Sequence, residues 1–350
     1  MKALVTGASG FLGSRVVEQL CASGLRHIRC FVLPNSDISV LESLRDRYPA
    51  TVIEYAIGNL LCLPDAIRAT RGVDAVYHLA ARMRGVAPSV FANTVVASRN
   101  LLDGIVCWRV RRVVLVGSIA VYDVAQLPRS IRIAEEVRME ASPEKRDPYC
   151  FAKVHQELLF QRYRQDHAFE LVTLRSGIIY GEGGTAVPSR IGFFVGPLFV
   201  QIGDNNLLPL TYVENCASAV VLAGKGSFPP GIYNLVDDDL PTCAEYLRRY
   251  RSEVGKLTSI HLPLPLAYFL SEGIERYHYF SNGQIPLVLT PYRVRATWEG
   301  HTYVNAKLKS VGWQQPVPTQ KAISRTFEYL SRHSCHVETS YVTPHTDRSP

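Results

Sequence analysis

Tyr149 and Lys153 stand four positions apart in Tyr149-Cys150-Phe151-Ala152-Lys153, a spacing that sets a phenol and an ammonium on one face of a helix. A free phenol titrates near ~10, and a neighbouring cation favours the phenolate. The pair is therefore read as an acid/base device in which Tyr149 exchanges a proton with a substrate hydroxyl or carbonyl near neutral pH. The competing reading of the spacing is an aromatic ring resting on an aliphatic stem. A second motif favours chemistry. Lys2-Ala3-Leu4-Val5-Thr6 reads as a short buried strand running into Gly7-Ala8-Ser9-Gly10-Phe11-Leu12-Gly13. Leu12, Val16, Val17 and Leu20 then recur with helical spacing. Glycines in such a turn let backbone amides approach a pyrophosphate at the positive end of the helix. The spacing is Gly-x-x-Gly-x-x-Gly, and with no Gly-Lys-Ser/Thr following, a phosphate loop of the Walker type is excluded.

The elements that must position these residues follow from the periodicity. Strands are expected near residues 2–6, 28–33, 51–55, 74–78, 112–117 and 170–175, alternating with helices near 11–23, 40–47, 64–71, 90–106 and 148–166. That alternation predicts an α/β fold with a doubly wound parallel sheet of the Rossmann type. After residue 175 the regularity fails, through glycine- and proline-rich connections around 181–209. A helix near 213–223, Tyr233-Asn234-Leu235 and a helix from about 242 follow. A smaller, discontinuous C-terminal lobe is expected, and the polar residues from Ser334 read as a mobile tail. The cofactor crevice belongs over the carboxyl ends of the strands, where Ser118 closes strand five.

Taken together and in order, Thr6 to Gly13, Ser118, and Tyr149 with Lys153 resemble the extended short-chain dehydrogenase/reductase family. The resemblance spans nearly the whole chain. Tyr77-His78-Leu79-Ala80-Ala81, Val113 to Tyr122, and Leu174-Arg175-Ser176-Gly177-Ile178-Ile179-Tyr180-Gly181 add to it. It implies a dinucleotide domain of residues 1–175 plus about 212–236, and a substrate lobe of 176–211 plus 237–333. It implies catalysis by Ser118, Tyr149 and Lys153, with Lys153 also bonding the nicotinamide ribose. Cofactor contacts are expected from Gly7, Ser9, Gly10, Phe11, Leu12, Gly13, Leu33, Asn35, Asn59, Leu60, Leu79, Ala80 and Ala81 as well as Tyr149 and Lys153. Asn59 stands where relatives usually carry aspartate. Asn93, on the following helix, reads either as a structural amide or as a relay contact. The stretch Leu33-Pro34-Asn35-Ser36 holds neither the acid that selects a free ribose nor an arginine for a 2′-phosphate, and Asp37 reads as a turn residue or cap. NAD or NADP is expected, with a slight lean to NAD because no arginine occupies the turn.

Ile119 and Ala120 follow Ser118 where sugar-dehydrating relatives carry carboxyl groups, so dehydration by that route is disfavoured. Ile178 and Leu208 stand where relatives acting on nucleotide sugars carry polar groups. With Tyr212 and Arg82 they are the expected substrate pocket, the apolar ones competing with plain core packing. The first choice is an oxidoreductase interconverting a secondary alcohol and a ketone, in a branch like the hydroxysteroid dehydrogenases or dihydroflavonol reductases. The alternatives are a sugar epimerase working through a keto intermediate and a nicotinamide-sensing protein without catalysis.

Of 350 residues, 47% are apolar and 20% charged, as expected of a chain with a substantial core. A formal charge of +7 permits attraction to anionic cofactors or substrates, but with no basic helix or stripe it gives little support to a nucleic-acid partner; a small-molecule substrate is expected. No apolar run reaches membrane-span length and no secretory leader is read at the start, so no membrane partner and a cytoplasmic location are expected. Eight cysteines without paired spacing suggest neither zinc site nor disulfide framework, and no metal is expected. A homodimer is implied by the resemblance, through the helices near 90–106 and 148–166.

Overall fold

The computed structural model describes residues 1–333 apart from 185, 283, 285, 286 and 288; the expected mobile tail from 334 lies outside the described residues. The chain divides into two compact units. The first comprises Met1–Tyr180, Pro209–Asp238 and His301–Thr319, so residues 176–180, 209–211, 237–238 and 301–319, expected in the substrate lobe, belong to this first unit.

At the centre of the first unit is a seven-stranded, wholly parallel sheet. It contains β1 (Lys2–Thr6), β2 (His27–Val32), β3 (Val52–Ile57), β4 (Ala75–His78), β5 (Arg112–Ser118), β7 (Glu170–Ser176) and β12 (Gly231–Leu235), in the order β12-β7-β5-β4-β1-β2-β3. The order reverses beside β1, between β2 and β4, which opens a crevice at the strands' carboxyl ends. β5 is buried along its whole length, as a parallel strand covered by helices on both faces must be. Short pairs flank the sheet: β6 (Arg132–Ile133) with β14 (Thr302–Tyr303), and β8 (Ile178–Tyr180) with β11 (Leu210–Tyr212).

The covering helices are α1 (Phe11–Ala22), α2 (Ser39–Arg47), α3 (Leu63–Thr70), α4 (Ala87–Phe91), α5 (Ala97–Cys107), α6 (Pro148–Asp166) and α7 (Val213–Ala223). On α1, Val16, Val17 and Leu20 form the buried stripe, as their spacing predicts. Between α4 and α5 the backbone widens into one π-helical turn, Ala92–Val96. Such turns carry one extra residue and shift the side chains that follow.

The second unit comprises Gly181–Leu208, Asp239–Gly300 and the chain from Gln320. It holds β9 (Gly192–Val195) antiparallel to β10 (Leu198–Gln201), with β13 (Ser259–His261) parallel to β10. Its helices are α8 (Cys243–Glu253), α9 (Leu264–Phe280) and α10 (Pro291–Trp298), and α12 (Thr319–His333) belongs to it from Gln320 onward. Val200, Ile202, Ala267, Leu289, Val294 and Trp298 form its core. A fully satisfied capping box, Thr242 with Glu245, starts α8. The remaining helix, α11 (Ala306–Ser310), belongs to the first unit.

Candidate active site

The start of α6 aims the acid/base pair. Asp147 is its N-cap, accepting from the Cys150 amide at 3.0 Å, and Pro148 occupies the first turn, where its missing N–H costs nothing. Tyr149 is therefore the second helical residue and Lys153 lies one turn on. Glu157 follows after another turn, so the three share a stripe facing β5 and β7. Gly117 on β5 allows the approach, since a Cβ there would meet Thr173 Cγ2 at 3.2 Å and Glu157 Oε2 at 3.4 Å.

Ser118 ends β5, and its Oγ accepts from the Ala120 amide at 3.1 Å, which leaves its O–H to donate. Burial pushes the Tyr149 phenol up to about 12, opposed by the nearby Ser118 hydroxyl, with Asp147 and Cys150 adding to the rise. Lys153 is 5% exposed. Its Nζ donates to Val116 O at 2.9 Å and to Gln156 Oε1 at 2.8 Å. Burial pushes the ammonium down to about 8, against the attraction of Glu157. The expected lowering of the phenol by Lys153 is thus not what this geometry produces. The ammonium is committed to a strand carbonyl and a carboxamide, and both groups of the pair are shifted toward their neutral forms by desolvation.

The same stripe continues into a buried ion pair. Arg175 on β7 meets Glu157 through Nε at 3.1 and 3.2 Å and Nη2 at 2.6 Å, and its guanidinium lies 4.5 Å over the Tyr122 ring. Both residues are at most 2% exposed.

In the glycine turn, Gly7 has φ +68° and abuts Ala80, whose backbone lies 3.2 Å from where a Cβ would sit. A Cβ on Gly13 would lie 1.9 Å from Gly7 O. The N-cap Gly10 supplies no side chain to the first turn of α1, which leaves its amides for an anion. These features fit the diphosphate of a dinucleotide. Gly13→Ala is therefore expected to weaken NADH binding more than a hundredfold, a loss of about 3 kcal/mol, measured by fluorescence titration. An unchanged dissociation constant would remove the turn from the cofactor site.

Other predicted positions divide. Leu79 and Ala80 are held beside the turn, their amides donating to Thr6 Oγ1 at 3.2 and 3.3 Å, and Ala81 is half-buried just beyond. Ser9, Phe11 and Leu12 are half-buried around the α1 start, while Leu33 and Asn35 are exposed after β2. Asp37 is a turn residue just ahead of α2, its Oδ1 accepting from the Ser39 amide at 2.9 Å, while Ile38 is the N-cap. Asn59 Oδ1 accepts from the Leu61 amide at 2.9 Å, and Leu60 is buried under α3 and α5. Asn93 donates to Ser89 O at 2.9 Å, a bond to its own helix.

Among the expected pocket residues, Ala120 and Ile178 are half-buried and Ile119 is 4% exposed. Leu208 and Tyr212 have no exposed surface, and Tyr212 packs on Tyr180 with ring centroids 5.6 Å apart; core packing accounts for both. Arg82 is exposed, its Nε donating to Arg84 O at 3.0 Å. Cys150 is buried, its thiol 3.1 Å from Ala120 O. No group of three or more His, Cys, Asp or Glu side chains able to hold a metal occurs among the described residues, and none of the described helices is long and apolar enough to cross a membrane.

Sequence reasoning missed Gln156 and Ser98, and it read His78 only as part of a motif. The signal on offer was the i, i+3 step from Lys153 to Gln156 on one helix.

A switch-point crevice, a glycine turn and a Ser-Tyr-Lys cluster define a nicotinamide-dependent enzyme of the Rossmann class. The chain belongs to the NAD dependent epimerase/dehydratase family, which it matches over residues 3–235. It is an NAD-dependent oxidoreductase or epimerase. The sterol-4-alpha-carboxylate 3-dehydrogenase, decarboxylating, of Candida albicans is 26% identical over 94% of this chain and 97% of its own length. GDP-mannose 3,5-epimerase 1 of Oryza sativa subsp. japonica is 25% identical over 75% of this chain and 71% of its own length. Among solved structures, the UDP-glucose 4-epimerase of Thermus thermophilus, in complex with NAD, matches with a TM-score of 0.66 over 94% of this chain and 99% of its own. At 21% identity that is a likeness of fold.

Proposed function

We propose that this enzyme interconverts a secondary alcohol and a ketone on a relatively apolar small molecule, with Tyr149 as general acid/base and Ser118 holding the reacting oxygen. The observation that carries the reading is that α6 sets Tyr149 one turn before a buried Lys153 anchored on Val116 O of β5, the strand that Ser118 ends. Gly7, Gly10 and Gly13 would hold the diphosphate and Lys153 the nicotinamide ribose. When bound, the cofactor supplies or takes up hydride at the substrate carbon. A phenol held near 12 stays protonated at neutral pH, which suits donation to the oxygen of a ketone as it is reduced. Lys153, near 8, is the stronger acid and can return a proton to the phenolate.

Ile119 and Ala120 supply no carboxyl group beside Ser118, and Ile178 adds apolar surface near β8, which supports an apolar substrate. The Candida albicans relative, a sterol 3-dehydrogenase by name, supports the same class. A homodimer through α5 and α6 is part of the proposal, supported by exposed apolar side chains at Val96, which ends the π-helical turn before α5, and at Leu158 on α6, 39% and 46% exposed. The rice relative, named an epimerase of a nucleotide sugar, keeps the epimerase as the second reading.

The deciding assay adds NADH or NADPH and a panel of cyclic and steroidal ketones to the purified protein. Stoichiometric loss of nicotinamide absorbance is expected, with NADH preferred. Conversion of a nucleotide sugar with no net change in that absorbance would overturn the proposal in favour of epimerisation.

A further inference from the structure

Behind Lys153 runs a buried polar chain that the acid/base chemistry does not itself require. It starts at the end of β1, where Thr6 Oγ1 lies 2.7 Å from His78 Nδ1. His78 Nε2 is 2.8 Å from Ser98 Oγ, and Ser98 Oγ donates to Thr94 O. Gln156 Nε2 donates to Ser98 Oγ at 2.8 Å, and Gln156 Oε1 accepts from Lys153. Thr6, His78, Ser98 and Gln156 are at most 1% exposed.

The hydrogen positions follow from the partners. Thr6 Oγ1 already accepts from two amides, those of Leu79 and Ala80, so it donates to His78 Nδ1. Nε2 then carries the imidazole proton and donates to Ser98. The ring is neutral, in keeping with burial and Lys153 together pushing its pKa down to about 3. Gln156 must keep its nitrogen on Ser98, because Ser98 spends its own proton on Thr94 O. The carboxamide therefore cannot flip, and its oxygen is a fixed acceptor pointed at Lys153. The π-helical turn Ala92–Val96 contains Thr94 and ends two residues before Ser98, which places this anchor against α6.

We propose that Gln156 is a positioning residue for Lys153, its carboxamide locked by Ser98 so that two ammonium protons are spent on Gln156 and Val116 and the third remains for the reacting groups. Among the described residues that third N–H has no protein partner. The inference rests on the oxidoreductase reading for its consequence, since the lysine acts with Tyr149 and the cofactor ribose there. Gln156 itself touches neither.

The groups acting on the Lys153 charge are Glu157 on its own helix, His78 on β4 and, through its pair with Glu157, Arg175 on β7; Tyr149 lies one turn before it. An acceptor bonded to the ammonium favours the charged form, and a carboxylate does so more strongly. Gln156→Leu and Gln156→Glu should thus move Lys153 in opposite directions, which a role confined to packing would not do.

The chain has only eight lysines, so protein labelled with 13C at lysine Cε gives few NMR signals, and Lys153→Arg assigns the one of interest. Titrated without substrate, the Lys153 midpoint is expected near 8 in the native protein. It is expected to fall in Gln156→Leu and to rise by about one pH unit or more in Gln156→Glu. Ser98→Ala, which frees the carboxamide without touching Lys153, should also lower it and serves if either Gln156 variant fails to fold. A common direction of shift in the two Gln156 variants, or an unmoved midpoint in Ser98→Ala, overturns the proposal. Where turnover is measurable, the alkaline limb of kcat/KM should shift with the midpoint. Native protein without any redox turnover would defeat the proposed function, while the NMR midpoints would still decide the role of Gln156.

Discussion

Tyr149→Phe is expected to lower kcat/KM for the NAD(P)-linked reaction by about a hundred- to ten-thousandfold, with NADH binding unchanged. The variant removes one oxygen from a site whose glycine turn lies on a different element, so cofactor affinity and turnover should separate. Stopped-flow reduction of a ketone identified in the panel, beside fluorescence titration of NADH, measures both. Native turnover in the Tyr149→Phe variant would defeat the general-acid role and return Tyr149 to packing. The pH profile gives a second reading of the same site. With the phenol near 12 and the ammonium near 8, a limb in ketone reduction near pH 8 belongs to Lys153. Its charged form exists below that pH, so the rate should fall as pH rises through it.

The second large effect is on stability. Arg175 and Glu157 form a buried ion pair with three N–O contacts of 3.2 Å or less. Arg175→Met strands a carboxylate in the core and is expected to cost about 3–5 kcal/mol in urea unfolding. Removing both charges in Arg175→Met/Glu157→Leu should recover most of that, because the penalty comes from the uncompensated charge rather than from loss of the pair. A single variant as stable as the native protein would show that the carboxylate finds another partner or water. Since Glu157 also attracts the Lys153 charge, the single variant should leave that lysine more strongly held in its charged form.

Much of this molecule was legible from local patterns. β1, the glycine turn and α1 are contiguous, and their apolar stripe, turn chemistry and helix start agree with one another, so few arrangements satisfy all three. The Tyr149–Lys153 stripe was legible for the same reason, since helix geometry alone puts positions four apart on one face. Asp37 was legible as a turn residue or a cap, and its bond to the amide two residues on makes it a turn residue ahead of α2, whose N-cap is Ile38. The substrate side was much less legible. Leu208 lies just before the short strand β11 and Tyr212 ends it, and there an apolar residue has the same signature whether it lines a pocket or fills a core; both are fully buried. The membership of residues 301–319 likewise depended on long-range packing, such as β14 pairing with β6.

By itself the sequence determined the order of strands and helices, the glycine turn and the helix face shared by phenol and ammonium, because each is set by neighbours within one or two turns of chain. Only the tertiary structure decided what Lys153 holds and how its proton affinity moves. Its anchor Gln156 is fixed by Ser98, 58 positions earlier, and lies beside His78, 78 positions earlier, and the burial that shifts both Tyr149 and Lys153 toward neutrality exists only once the sheet and helices close around them.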